Sequence, residues 1–178
     1  MQSVSDDRGT TRPTIAIVMR GFRRPDYDIW LSATEAAREH DLNVVTFTGH
    51  AVDSPVESQR AANAVYELVN QKRVDGALVL ASGIGLHVGT EGMLAFCERF
   101  GQVPLVSAQM PLPGIPSLLI DNYRGMRDVV DHLIEVHGYR RIGFIRGPVS
   151  HAGAQDRYRA YCESLVDHGI PLDPDLVA

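Results

Sequence analysis

No apolar run in the sequence approaches the roughly 20 residues needed to span a bilayer, so nothing in it reads as a membrane anchor. Basic residues are not in excess either. Lys and Arg number 17 against 22 Asp and Glu, a net charge of −5, which excludes the broad positive footprint of a nucleic-acid-binding surface. The opening "MQSVSDDRGTTRP" lacks the apolar stretch of a secretory signal. Cysteine is scarce: Cys97 and Cys162 lie far apart without CxxC spacing, which fits a reduced, cytoplasmic protein and not a disulfide scaffold or zinc site. HExxH, paired-histidine spacing, internal repeats and low-complexity tracts are all missing. Ser82 and Ser107 lack the flanking glycines of a nucleophile elbow. No metal and no cofactor is expected.

What the sequence does have is alternation. "TIAIVM" (14–19) is a near-continuous apolar run, as a strand buried on both faces requires. "DYDIWLSATEAAREH" carries Ile29, Ala33, Ala36 and His40 at helical spacing, with Asp26 or Asp28 as candidate cap. "LNVVTFTG" (42–49) is a second strand. In "SPVESQRAANAVYELVNQK" (54–72), Ser54, Pro55 and Glu57 spell a capping box opening a long helix. Strands follow at 75–82, 103–108 and 117–121, with helices at 90–100 and 124–137. A sixth strand is expected at 140–147 ("RRIGFIRG") and a last helix at 153–169, ended by Gly169 and Pro171. Apolar strands alternating with helices call for a parallel sheet covered on both faces and joined by right-handed crossovers. Residues 1–13 read as a disordered leader.

In an open parallel sheet, ligands bind beyond the carboxyl ends of the strands. "SGIGLHVG" (82–89) sits at such an end, but it is no P-loop, and Val88 stands where a GxGxxG motif needs its third glycine. It reads as a turn beside a pocket. Arg20, Arg23 and Arg24 cluster after the first strand near Phe22 and Tyr27, a grouping that suits an anionic or polar ligand with an aromatic face for stacking. The alternative is exposed loop arginines. Asp121 and Asn122 end an apolar strand, where polar side chains meet ligand hydroxyls; equally, Asp121 is placed to cap the next helix. His132 and His137, with Asp128, Asp131 and Glu135, read as a solvated helical face before a metal or acid–base site.

From residue 103 onward the wording becomes specific. "VPLVSA", "IPS", "DNYRG", "HLI", "RRIGF" and "GP" occur in order, followed by "RYRAY" and "HGIPLDPDLV", and "VDGALVL" precedes them. Across 14–178 the sequence resembles the effector-binding region of the LacI family and its periplasmic-binding-protein-like relatives. The "HGYRRIGFIRGP" wording is most like sensor regions fused to signalling modules such as diguanylate cyclases or histidine kinases.

The resemblance implies a type I periplasmic-binding-protein-like α/β fold. One Rossmann-like lobe (14–138) would carry a parallel sheet in the order 2-1-3-4-5, followed by the start of a second, incomplete lobe (139–178), the native chain being longer. It implies a non-catalytic sensor of a small molecule, often a sugar, held between two lobes. The output is a LacI-type transcriptional regulator, or alternatively a signalling enzyme; a small α/β enzyme with a nucleotide cofactor is the competing class. DNA contact would require a helix-turn-helix that this segment does not contain. A homodimer through the first lobe is expected, with Val65, Tyr66 and Val69 as candidate contacts. The expected ligand-binding set is Phe22, Tyr27, Ser82, Gln109, Asp121, Asn122, Arg124, Ser150 and Gln155. Arg124 stands where some family members contact ligand. Gln155 stands where the family often has an arginine, with Arg157 retained after it.

Overall fold

A computed structural model of the chain describes residues 12–149 and 151–178. Most of the expected leader, and Ser150, lie outside the described residues. At the described end of the leader, Arg12 pairs with Asp41 at 2.9 Å, and the Pro13 carbonyl accepts from the Asn43 N–H.

The chain forms two compact units, 1–118 and 119–178. The first is a five-stranded parallel sheet in the order β2-β1-β3-β4-β5. Its strands are β1 (Thr14–Met19), β2 (Asn43–Thr48), β3 (Gly76–Leu80), β4 (Leu105–Ala108) and β5 (Ser117–Leu118). β1 is an interior strand, and Ala16, Ile17, Val18 and Met19 are all at most 1% exposed, which is why that run is apolar at every position. On one face, helix α1 (Asp26–Glu39) lays Ile29, Trp30 and Ala33 over Ile17, Met19 and Leu80. The other face packs Ala16, Val18, Ala77 and Val79 against Met93, Phe96 and Cys97 of α4 (Gly89–Glu98), and against Tyr66 and Val69.

Several local expectations fail for identifiable reasons. Neither Asp26 nor Asp28 caps α1: the N-cap is Pro25, with no side-chain cap bond. Ser54 opens no long helix. Its hydroxyl donates to Gln59 Oε1 at 2.6 Å and accepts from the Val56 N–H at 3.2 Å, while the helix α2 (Glu57–Ala62) starts two residues after Pro55 and tightens into a 3-10 turn at Asn63–Leu68. That turn exists to bury Tyr66. Its ring lies over Gly49, where a Cβ would sit 2.6 Å from Cζ, and its hydroxyl donates to the Met19 carbonyl at 3.1 Å. Tyr66 and Val69 are each 1% exposed, so they belong to the core and cannot serve as dimer contacts. The "SGIGLHVG" stretch is not an open turn but begins with a short helix, α3 (Ala81–Ile84).

In the second unit, α5 (Asn122–Glu135) packs on α6 (Ala152–Asp167). The sequence reading groups α5 with the first lobe; its packing partner in the structure is α6. Val130, Ile134, Tyr161, Leu165 and Ile170 form the buried centre, against which Ile142, Phe144 and Val177 pack. No sixth strand forms among the described residues. The 140–147 stretch is extended and makes one parallel bridge, Phe144 to Val177, with Phe144 N–H donating to the Leu176 carbonyl at 2.8 Å. A strand needs a neighbour along its length, and here it finds one only at the last residues of the chain.

Candidate functional site

β1, β2 and β3 all discharge their chains at the same end of the sheet, and the loops that follow enclose a cleft of about 400 Å³. Its walls include Arg20, Phe22 and Arg23 after β1; His50, Ser54 and Gln59 after β2; and His87 after α3. This is the carboxyl-end position where parallel sheets hold ligands.

Asp26 reaches into the cleft and is 7% exposed. A buried carboxylate is costly unless it is hydrogen-bonded and compensated by charge. Both are present: the Gln109 side-chain amide donates to Asp26 Oδ1 at 3.3 Å, and Arg20 supplies a nearby positive charge. Burial still dominates and pushes the Asp26 carboxyl above its ordinary range, with Gln109 and Arg20 pulling the other way. Gly83 lies alongside; a Cβ there would be 3.4 Å from Asp26 Oδ2 and 3.7 Å from Arg20 Nε. Gln109 itself follows β4 with φ of +68°, in the left-handed region where non-glycine residues are uncommon.

Phe22 is 53% exposed, and it is positioned by its neighbour. Its ring meets Trp30 edge-on at 5.1 Å, and Trp30 is anchored through Nε1 donating to Thr46 Oγ1 at 2.9 Å. The exposed face is therefore presented on a fixed support, as stacking recognition requires. Tyr27 packs on Trp30 at 5.8 Å and does not line the cleft. Ser82 lies in α3 next to Gly83, half-buried, and is also not among the lining residues. Arg24 points elsewhere, 3.6 Å from Asp28.

In the second unit Asp121, Asn122, Arg124 and Gln155 stand at the amino ends of its two helices. Asp121 is the N-cap of α5, accepting from the Arg124 N–H at 2.9 Å, so the capping role is the one its carboxylate performs. Arg124 is exposed. Asn122 accepts a hydrogen bond from the Arg157 guanidinium and presses against Gly153, where a Cβ would be 2.7 Å from Nδ2. Gln155 accepts from Arg146 at 3.5 Å, and the Arg146 guanidinium lies 3.8 Å over the Tyr158 ring. Asn122 is thus tied to α6 through Arg157, and Gln155 to the preceding segment through Arg146. Of the face read as solvated, Asp128, His132, Glu135 and His137 are exposed, and Glu135 still takes His168 at 3.1 Å; Asp131 is half-buried and takes Arg127 at 3.5 Å and the Ser164 hydroxyl.

Of the expected set, Phe22 lines the cleft with Asp26 and Gln109 bonds that acid, while Tyr27 and Ser82 are not on its walls. Sequence reasoning missed Asp26, His50, Ser54, Gln59 and His87 as cleft residues. Asp26 was legible in principle, as an acid in the loop after a buried strand, but the same residue satisfies a helix-start pattern. His50 follows the carboxyl end of the second strand, so its place was readable once loops after strands were inspected.

Among the described residues, no group of three or more His, Cys, Asp or Glu is placed to hold a metal ion, and no helix is long and apolar enough to cross a membrane.

Residues 13–178 match the family described as periplasmic binding proteins and sugar binding domain of LacI family. Over 114 residues, 63% of this chain and 31% of the relative, the chain is 32% identical to the HTH-type transcriptional repressor CytR of Escherichia coli (strain K12). It is 26% identical over 112 residues to the HTH-type transcriptional regulator DegA of Bacillus subtilis (strain 168), covering 63% of this chain and 33% of that one. Among solved structures, the transcriptional regulator CelR–cellobiose complex matches with a TM-score of 0.67 at 28% identity, over 94% of this chain and 50% of that one. A LacI family transcriptional regulator from Mycobacterium smegmatis matches at 0.70 with 24% identity, over 92% and 55%, a likeness of fold alone. The chain spans about a third of the length of the two curated relatives and about half of the two solved chains.

Proposed function

The chain belongs to the family of periplasmic binding proteins and LacI-type sugar-binding domains, and from that premise we propose that it senses a small-molecule effector for a bacterial transcriptional regulator acting in the cytoplasm. The observation that carries the reading is the first-unit cleft, which is lined both by a buried, hydrogen-bonded Asp26 and by the exposed ring of Phe22. A polar group fixed in a concave site beside a flat apolar face is what recognises a ring bearing hydroxyls. The Ser54 hydroxyl in the cleft donates to Gln59 Oε1 and accepts from the Val56 N–H, and the matched relatives are regulators and repressors. The CelR structure is a cellobiose complex, which favours sugars among the candidate effectors.

The protein is a homodimer in this proposal, with its contact on surfaces other than Tyr66 and Val69. The polar residues Asn122, Gln155 and Arg157 are the second unit's candidate contribution to effector binding. The test is calorimetric titration of the intact protein with neutral sugars, nucleosides and their phosphate esters. The expected result is saturable binding to members of one class, weakened by about 1–3 kcal/mol in Asp26→Asn, which keeps shape but loses the charge. Binding of NAD or a nucleoside triphosphate with none to that panel would overturn the proposal.

A further inference from the structure

Resting on the reading of the first-unit cleft as an effector site, we propose that the effector it takes is an anion: a ring-bearing small molecule with a phosphate ester or carboxylate, its charged group held by Arg23 and Arg20. The chain as a whole is acidic, with a net charge of −5, yet this cleft is lined by two arginines and two histidines against one aspartate. The single acid is already compensated. Asp26 is buried, takes the Gln109 amide at 3.3 Å, and shares the field of Arg20.

Arg23 is left over. It lines the cleft, and among the described residues no carboxylate lies within ion-pair distance of its guanidinium; the neighbouring Arg24 is the one that pairs with Asp28. His50 and His87 face the same space from the loops after β2 and α3, adding donors that an anion's oxygens accept from. The low-dielectric walls concentrate this positive potential where a ligand enters. Phe22, backed edge-on by Trp30, supplies the flat face for the body of the ligand. A guanidinium fork suits phosphate and carboxylate oxygens in a way that a neutral hydroxyl does not demand.

The experiment is calorimetry on the intact protein with matched pairs: a hexose and its 6-phosphate, a hexose and its uronic acid, a nucleoside and its 5′-monophosphate, with inorganic phosphate alone as a further probe. The expected result is that one anionic member binds at least roughly tenfold more tightly than its neutral parent, the gain of one charge-assisted hydrogen bond. Arg23→Gln removes that preference. Arg24→Gln, which deletes the same charge one residue away and outside the cleft, changes affinity by less than about twofold, as for an exposed surface pair. Parent and anion binding equally, or the parent binding better, overturns the anion inference and leaves the effector reading standing. A preference that survives Arg23→Gln, or that Arg24→Gln reduces as much, also overturns it. No binding by any pair removes the effector reading and the inference together.

Discussion

In the first unit a five-stranded sheet is sandwiched between helical segments, and its fully buried residues are almost all apolar: Ala16, Val18, Val79, Leu80, Met93. In the second unit two helices and an extended segment share a smaller apolar centre. Around that centre runs a ring of paired polar groups. Arg127 bridges Asp131 and Asp167, the Ser164 hydroxyl bonds Asp131, Tyr123 bonds Glu163, and Arg157 bonds Asn122. A sheet lets one buried strand be covered on both faces, so the hydrophobic term dominates where it is present. A helix pair buries one stripe from each partner, and orientation then has to come from directional bonds. The two units should therefore fail differently under mutation and pH.

Their probes separate conveniently, because the single tryptophan, Trp30, lies in the first unit and four of the six tyrosines lie in the second. The largest expected effect is Tyr66→Ala. It empties a fully buried ring site and deletes a hydrogen bond to the Met19 carbonyl, and should cost the first unit about 3–5 kcal/mol in urea unfolding followed by Trp30 fluorescence. Tyrosine signals from the second unit should move little. Gly49→Ala attacks the same contact from below by overpacking, since its methyl meets Tyr66 at 2.6 Å; about 1–3 kcal/mol is expected by the same assay.

The second unit is sharpened by smaller changes. Asp121→Ala removes the α5 cap and should cost about 1 kcal/mol, read from tyrosine near-ultraviolet dichroism, whereas Asp121→Asn, an equally good cap, should cost almost nothing. The last effect is in pH. His168 Nδ1 lies 2.8 Å from the Ser164 carbonyl and Nε2 lies 3.1 Å from Glu135, so both ring nitrogens face acceptors and only the doubly protonated ring satisfies both. The Ser164 carbonyl first, then Glu135, with Asp131 further off at 3.7 Å, raise its pKa above the ordinary value. Arg140 faces it too, but donates to its backbone carbonyl. A raised folded pKa contributes stability that is fully present below the ordinary histidine value and lost as pH rises through the raised one. The second unit's unfolding midpoint should fall on going from about pH 6 to about pH 8.5. In His168→Gln that fall should flatten, while the Trp30 transition ignores the substitution.

The same contrast explains what was legible. The buried parallel sheet could be read because a run such as "TIAIVM" has no other physical use than burial on two faces, and such runs recur between helices; the order of its strands came from the family resemblance. The Ser54 helix start could not, because serine followed by proline and glutamate satisfies a capping box locally, and only the fold reveals that the hydroxyl is taken by Gln59. The expected strand at 140–147 was apolar enough to be one, but strand formation depends on a partner elsewhere in the chain, which pattern alone does not supply. Near the candidate cleft, Phe22 and Gln109 could be placed from their positions after strands. Asp26 was hidden by a second plausible role, and His50 and His87 carried no motif at all.

Gln109 shows where selection for stability and selection for ligand would part company. Its left-handed backbone costs roughly 1 kcal/mol relative to a glycine in the same conformation, yet its side chain is what holds Asp26 in place. A library screened only for heat resistance should accumulate glycine at 109, growing more robust as the carboxylate beside it loses its partner and the cleft goes blind. A library screened for effector response should keep glutamine and accept the lower melting point.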